Sequence, residues 1–296
     1  MSVIFIFIDG VGLGEAHEQN PFQLKNYQSF TDLTGGSFVK GAETVINPDH
    51  LFKPIDANLE VEGLPQSGTG QTTLFTGHNA SKAIGKHFGP YPHSGIKGFL
   101  RTDSIFHGVK ELGLKPYFMN AYPPIFFQIA EKRNRWSCTT LMTKSADLKL
   151  NSTEEVLNEE ALTAEIVQNA WRERLDIDIP KITATDAAQR LLNVIPDHDL
   201  VLYEYYLTDK AGHNQKQEDA EQVLDPLDEF LNHIIHNKRS SDLLVITSDH
   251  GNLEDLSTKT HTRNEVPLFV MGEGADRFNE VNSLMDVKKS MLDWLG

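Results

Sequence analysis

Short apolar, β-prone runs recur along the chain, and amphipathic helical patterns fill the spaces between them. Five runs read as strands: 3–8 (VIFIFI), 115–119 (KPYFM), 200–206 (LVLYEYY), 243–248 (LLVITS) and 267–271 (PLFVM). Residues 104–114 (SIFHGVKELGL) predict a helix with Ile105, Val109 and Leu112 on one face and a stop at Gly113. Residues 185–195 and 223–235 show the same helical spacing. Strands alternating with helices predict an α/β fold: a doubly wound, mainly parallel sheet with helices on both faces. Ligands of such sheets sit beyond the carboxyl ends of the strands.

Two stretches break the alternation. Residues 85–101 (GKHFGPYPHSGIKGFLR) are rich in Gly and Pro and read as an irregular loop. Residues 123–182 contain a polar helical segment, 152–175. They read as a small helical cap inserted into a core made of 1–122 and 183–296; the alternative is one more core helix.

The charge balance narrows the partners. The chain has 42 acidic and 27 basic residues, a net charge of −15. That argues against a nucleic-acid partner, which wants a basic face. It leaves an anionic substrate open, because bound cations invert a local field. The single cysteine, Cys138, excludes an intrachain disulfide and a thiolate metal cluster. VIFIFI lacks a basic flank and meets Asp9 at once, so it reads as a strand and not a signal peptide. No apolar run reaches membrane-spanning length. A cytoplasmic protein with no membrane partner is expected; oligomeric state is not legible.

The candidate chemistry lies in four segments at predicted strand ends or helix starts. FIFIDGVG ends in Asp9, with Gly10 and Gly12 opening a turn. GLPQSGTGQTTLFTG places Ser67 in a Gly-rich turn before a helix, whose N-terminus suits an anion. YEYYLTDKAGHNQ carries Asp209 and His213, and TSDHGNLED carries Asp249 and His250, with His261 further on in THTRNEVPLFVMG. Singly, each has an ordinary reading as a turn former, a helix cap or a solvated histidine. Together, three carboxylates converging at strand ends would repel unless cations neutralise them. Asp9, Asp209, Asp249, His213, His250 and His261 are all suitable ligands for divalent metals. Two ions about 4 Å apart can clamp the attacking and leaving oxygens of a phosphoryl displacement, with Ser67 as alcohol nucleophile.

These segments resemble the alkaline phosphatase superfamily, and within it most closely the metal core of cofactor-independent phosphoglycerate mutase. The matching pieces are IDGVG, SGTG, TDKAGH, SDHGN and HTRNEVPLFV, in the expected order over nearly the whole chain. The resemblance implies one metal held by Asp209, His213 and His261, and a second held by Asp9, Asp249, His250 and the nucleophile Ser67. Ser67, Gly70 and Gly77 fit the family's register; Thr69 and Thr72 are weaker candidates, with Thr73 also nearby. It further implies two divalent ions, zinc or manganese, and a small phosphorylated substrate converted through a phosphoserine. The mutase's large inserted cap has no counterpart at 85–101, and its lysine-bearing segment is replaced by NAYPPIFFQIAEK. A phosphatase is therefore the expectation. The alternatives are a phosphomutase, or a phosphodiesterase or a phosphonate or sulfate ester hydrolase. Within the expected cap, Arg133 and Arg135 are candidate grips for a substrate carboxylate or second phosphate. His87, His93, His17 and Asn20 are candidate pocket residues, each with a plain loop reading beside it.

Overall fold

A computed structural model describes residues 1–296. Seven strands form one sheet: β1 Val3–Ile8, β2 Val45–Asn47, β3 His50–Ile55, β4 Pro116–Phe118, β5 Leu200–Tyr205, β6 Leu243–Thr247 and β7 Val266–Met271. Their order across the sheet is β2-β3-β7-β6-β1-β5-β4. The central block β4, β5, β1 and β6 is parallel, while β7, β3 and β2 are joined by antiparallel pairings. The mixed, mostly parallel α/β sheet matches the expectation from sequence.

Both faces of the sheet are covered, and the alternation of the strands shows how. In β1, Ile4, Ile6 and Ile8 enter one apolar cluster, while Val3, Phe5 and Phe7 enter the other. The clusters hold 35 and 32 buried residues, so neither face is left to solvent. Fully burying each large aliphatic or aromatic side chain contributes roughly 1.5–3 kcal/mol, which outweighs the helix propensity of any covering element. The helices Ala184–Val194 and Gln217–Asn237 cover the first face through Ala187, Leu191, Leu224, Leu227 and Leu231. The helices Ser67–Thr76, Ile105–Glu111 and Leu284–Leu295 cover the second. Phe75 meets the edges of Phe5 and Phe7 there, at centroid distances of 6.2 and 5.3 Å.

Several local expectations change. The helix expected over 104–114 stops at Glu111, so Ile105 and Val109 are buried but Leu112 lies 45% exposed. The helix expected over 223–235 runs from Gln217 to Asn237 and takes Pro226 inside it. Strands β2 and β3 were not expected; β3 carries Lys53 and Pro54, which read as breakers. The loop 85–101 ends in a short helix, Lys97–Thr102. The polar segment 152–175 is two short helices, Thr153–Leu157 and Asn169–Arg174, because Glu159, Ile166 and Gln168 between them adopt positive φ. Two more helices, Pro124–Arg133 and Cys138–Ser145, precede them. The second belongs to the main packing: Cys138, Leu141 and Met142 join the cluster that holds Phe75. A separate small cluster gathers Ala121, Val156, Ala161, Trp171 and Ile179. No helix is long and apolar enough to cross a membrane.

Candidate active site

Three parallel strands end side by side, and each delivers a carboxylate. Asp9 follows β1, Asp209 lies in the first turn of the helix after β5, and Asp249 follows β6. Because β1 pairs with both β5 and β6, Asp9 sits between the other two. His250 comes with Asp249, and both are fully buried. His213 lies one helical turn beyond Asp209, and His261 comes from the loop leading into β7.

Ser67 is brought in from the side as the first residue of the helix Ser67–Thr76. All ten residues of that helix are buried, which explains its small side chains. A Cβ on Gly70 would lie 2.7 Å from the carbonyl oxygen of Asp249, and one on Gly68 would meet the carbonyls of Tyr91 and Phe88. The glycines of SGTG thus let the helix touch both the β6 loop and the 85–101 loop. The Ser67 hydroxyl lies 3.0 Å from Nε2 of His250. The threonines beside it are occupied elsewhere: Thr69 donates to the Gln66 carbonyl, Thr72 to that of Gly68, and Thr73 to that of Thr69.

The donor atoms form two adjoining groups. Nε2 of His250 lies 3.3 Å from Oδ1 of Asp9 and 3.6 Å from Oδ2 of Asp249. Nε2 of His261 lies 3.4 Å from Oδ1 of Asp209, and Nε2 of His213 lies 3.4 Å from its Oδ2. The His261 ring stacks on His250 at 3.8 Å and joins the two groups. All seven expected site residues therefore meet in one place.

The groups carry the marks of a cation site. Nδ1 of His261 is 2.7 Å from the Pro65 carbonyl, and Nδ1 of His213 is 2.9 Å from that of Lys259. A carbonyl only accepts, so each Nδ1 carries a proton, and each Nε2 is turned toward the Asp209 carboxylate, where loss of its own proton would free a lone pair for a metal. Those two Nε2 atoms face each other at 3.2 Å, an arrangement suited to a shared electrophile. Oδ1 of Asp9 and Oδ2 of Asp249 are buried without a hydrogen-bond donor. Two orphaned carboxylate oxygens beside aimed imidazole nitrogens fit divalent metal ions.

Electrostatics tell the same story. Burial, then the charge of Asp249, pushes the Asp9 carboxyl up to about 8. Burial and nearby Asp209 raise Asp249 as well, against the opposing pull of His250. Burial would lower His250, but the carboxylates of Asp249 and Asp9 override it and push it up to about 10. Burial opposes ionisation of Asp209, yet His213 and His261 hold it well below the usual carboxylate range. The cluster demands positive charge at its centre.

A second layer was not legible in advance. Gln71, one turn after Ser67, donates to Oδ2 of Asp9 at 3.0 Å. Asn252 donates to Oδ1 of Asp209 at 2.6 Å. Glu254 is fully buried and accepts from the backbone of Gly12 at 2.9 Å and of Asn252 at 2.7 Å, and from Thr262 and Asn264. It ties the loops after β1 and β6 to the loop that bears His261. The spacing of Gln71 from Ser67 was the one local signal; the other two meet partners far away in sequence.

A cleft of about 590 Å³ opens over Asp9, Ser67 and Asp209. Its walls include Tyr91, Tyr122, Phe126, Arg135 and Trp171, and Glu204 lies in it, accepting from Thr139 at 2.7 Å. Burial pushes the Glu204 carboxyl up to about 8. Of the other sequence candidates, Arg135 lines the cleft and Arg133 does not. His87 bonds Ser81 and the Val61 carbonyl, His93 accepts from Gly95, and His17 accepts from Gln19. Asn20 caps the short helix Pro21–Leu24. None of these four lines the cleft.

A mainly parallel sheet whose strand ends gather three carboxylates, three imidazoles and one serine hydroxyl defines an α/β fold with a candidate metal centre. The chain belongs to the metalloenzyme superfamily, whose family model matches residues 1–296. It is similar to the 2,3-bisphosphoglycerate-independent phosphoglycerate mutase of Vibrio parahaemolyticus, 25% identical over 295 residues, covering 91% of this chain and 57% of that protein. The enzyme of the same name from Acetivibrio thermocellus is 32% identical over 127 residues, 40% of this chain and 25% of that protein. The chain thus spans little more than half the length of the curated relatives it matches. Among solved structures, the alkaline phosphatase of the Antarctic bacterium TAB5 superposes with a TM-score of 0.59 at 15% identity, covering 99% of this chain and 96% of that one. A Leishmania mexicana phosphoglycerate mutase superposes with a TM-score of 0.52 at 10% identity, covering 100% and 95%. These structures share the fold.

Proposed function

We propose that the chain is a two-metal phosphoryl-transfer enzyme that hydrolyses a small phosphate monoester through a phosphoserine at Ser67. The observation that carries this reading is the Ser67 hydroxyl 3.0 Å from His250, over a cluster with orphaned carboxylate oxygens. Asp209, His213 and His261 would hold one ion, and Asp9, Asp249, His250 and Ser67 the other. Zinc and manganese both suit an Asp/His donor set without thiolate. Bound there, the ions supply charge neutralisation at the phosphoryl oxygens and an acidified serine hydroxyl.

The chain's own residues do the rest. The rigid, buried helix Ser67–Thr76 fixes Ser67 facing the cleft, and its N-terminus favours an anion above it. Gln71 and Asn252 hold Asp9 and Asp209 in place. The aromatic walls contributed by Tyr122, Phe126 and Trp171 exclude water from one side of the ester.

The test is metal add-back to stripped protein, with release of phosphate from a panel of monoesters and a parallel phosphodiester. Metal-dependent monoester turnover, lost in Ser67→Ala, supports the reading. Turnover of the diester alone would replace it with a phosphodiesterase. A phosphomutase is favoured by the similarity to phosphoglycerate mutases. It is distinguished by a product that retains the phosphoryl group at a new oxygen, with no phosphate released.

A further inference from the structure

The cleft over Ser67 carries its carboxylates at the floor, while much of its flank is carbon. Asp9, Glu204 and Asp209 line it together with Arg135, Arg174 and Lys210, so its formal charges balance. The Arg135 guanidinium lies over the Tyr91 ring at 3.9 Å. Arg174 and Lys210 also line an adjoining cavity, in company with Glu165 and Asp219. Charge alone therefore does not say what fills the rest of the cleft.

The flank is more informative. Tyr122, Phe126, Trp171, Leu175 and Tyr206 all line it. Leu175 and Tyr206 are each 43% exposed, and on the helix Pro124–Arg133 Ile125 and Ile129 are 47% and 45% exposed on either side of Phe126. Four of the ten large apolar side chains that the chain exposes thus stand in the cleft or on the helix that walls it. Scattered apolar side chains are ordinary on a surface; a concentration of them at one opening marks a place that something covers. The wall is also set in advance. The Phe126 ring stacks on Tyr122 at 4.1 Å and meets the edge of Trp136 at 6.1 Å. The cleft holds about 590 Å³, within the roughly 300–1,000 Å³ of sites that enclose a drug-sized ligand.

We propose that this flank receives the alcohol part of the substrate, and that the substrate is a phosphate monoester of an apolar alcohol. An aryl ring or an alkyl chain lies against Tyr122, Phe126 and Leu175 while the phosphoryl group lies at Ser67. This deepens the proposed function and rests on it. The same cavity is lined by Ser67 and by the apolar wall, so one molecule reaches both. Apolar area removed from water favours binding in proportion to its extent. A polyol in the same place would turn hydroxyls toward carbon without partners, which opposes binding.

The test uses four monoesters of primary alcohols with the metal-loaded enzyme: ethyl phosphate, glycerol 1-phosphate, hexyl phosphate and 2-phenylethyl phosphate. All four release primary alcohols of similar acidity, so ratios of kcat/KM report contacts in the cleft. The expected result is a kcat/KM for the hexyl or the phenylethyl ester roughly 10-fold or more above ethyl phosphate and glycerol 1-phosphate. The chain and ring arms distinguish the two kinds of apolar alcohol. Phe126→Gln and Leu175→Gln are expected to bring that ratio toward one. Phe126→Leu keeps an apolar wall and is expected to retain most of the hexyl ratio. Leu112→Gln, which changes an exposed apolar side chain outside the cleft, is expected to leave the ratio in place. Equal kcat/KM for the four esters overturns the proposal, as does an unchanged ratio in Phe126→Gln and Leu175→Gln. Equal kcat/KM with a loss of self-association in Phe126→Gln also overturns it, and assigns the wall to a second copy of the chain.

If none of the esters turns over, the hydrolytic reading has failed, and binding decides the apolar site separately. Calorimetry would then compare 2-phenylethylphosphonate with ethylphosphonate on the metal-loaded protein. A preference for the former that Phe126→Gln and Leu175→Gln remove supports the site; no preference overturns it.

Discussion

The Ser67 hydroxyl lies 3.0 Å from Nε2 of His250 although 183 positions separate them in the chain. No short-range interaction creates that contact. It exists because one helix start is pressed by glycine-mediated packing against the end of a central strand.

Replacing Ser67 with alanine is expected to abolish turnover while leaving bound metal largely in place. Steady-state turnover and elemental analysis on the same preparation check this. A phosphoserine at residue 67, trapped by acid quench and read by peptide mass spectrometry, is the positive counterpart in the wild type. Retained turnover in Ser67→Ala, with loss in Thr72→Ala, would move the nucleophile; the Thr72 hydroxyl is now committed to the Gly68 carbonyl.

Loss of a proposed metal ligand has a different signature. Asp249→Asn and His261→Ala are expected to lower metal content together with activity, and to blunt the thermal stabilisation given by added metal. For a ligand that binds only the folded state, 100 times its dissociation constant raises stability by about 2.7 kcal/mol per site. Melting curves with and without a chelator measure this. A chelator-insensitive melt in the wild type would argue against metal at the cluster.

Asn252 and Glu254 act on the cluster without belonging to it. Asn252→Ala frees Asp209 to turn and is expected to weaken metal affinity roughly 10- to 100-fold, the usual effect of losing a residue that orients a ligand. Glu254→Gln puts an amide donor where only acceptors fit, and is expected to cost about 2–3 kcal/mol in urea denaturation. An unchanged midpoint in Glu254→Gln would show that the three loops are held without it.

A pH effect is expected away from the active site. Glu155 caps the helix Thr153–Leu157. Burial would raise its carboxyl, but Lys149 and the N–H and hydroxyl of Ser152 prevail and hold it at about 2, below its ordinary 4.5. A depressed carboxyl stabilises the folded state above the unfolded value and loses that contribution as pH falls toward the folded one. The wild type is therefore expected to lose about 1–2 kcal/mol more than Glu155→Gln between pH 4.5 and 2. Equal pH dependence in the two proteins would remove Glu155 from the account.

The candidate ligand residues were legible because their positions at strand ends are set by local pattern. Asp9 closes the unbroken apolar run VIFIFI, Asp249 follows LLVI after Thr247 and Ser248, and Asp209 lies just beyond the strand-like run LVLYEYY. What could not be read depends on distant partners. Strand β3 survives Lys53 and Pro54 because β7 lies beside it, with Pro54 opposite Pro267. The 152–175 segment has helical composition throughout, yet three left-handed residues divide it, and nothing local announces them. Glu254 reads as an ordinary loop acid until the backbone of Gly12 is found donating to it. Arg135 was singled out together with Arg133; only the folded chain separates the residue that faces the cleft from the one that does not.

The three parallel strands β5, β1 and β6 carry a consequence for the order of events in the life of the molecule. Neighbours in that trio are far apart in sequence, so their pairing must wait for long stretches of chain to close. Neither group of donors is complete on any one segment, from residue 9 to residue 261. Metal uptake at the proposed site would thus follow completion of the core and not guide its assembly. On the proposed reading, a nascent or misassembled chain would offer only scattered, weak ligands, and metal loading would mark the copies whose core has closed.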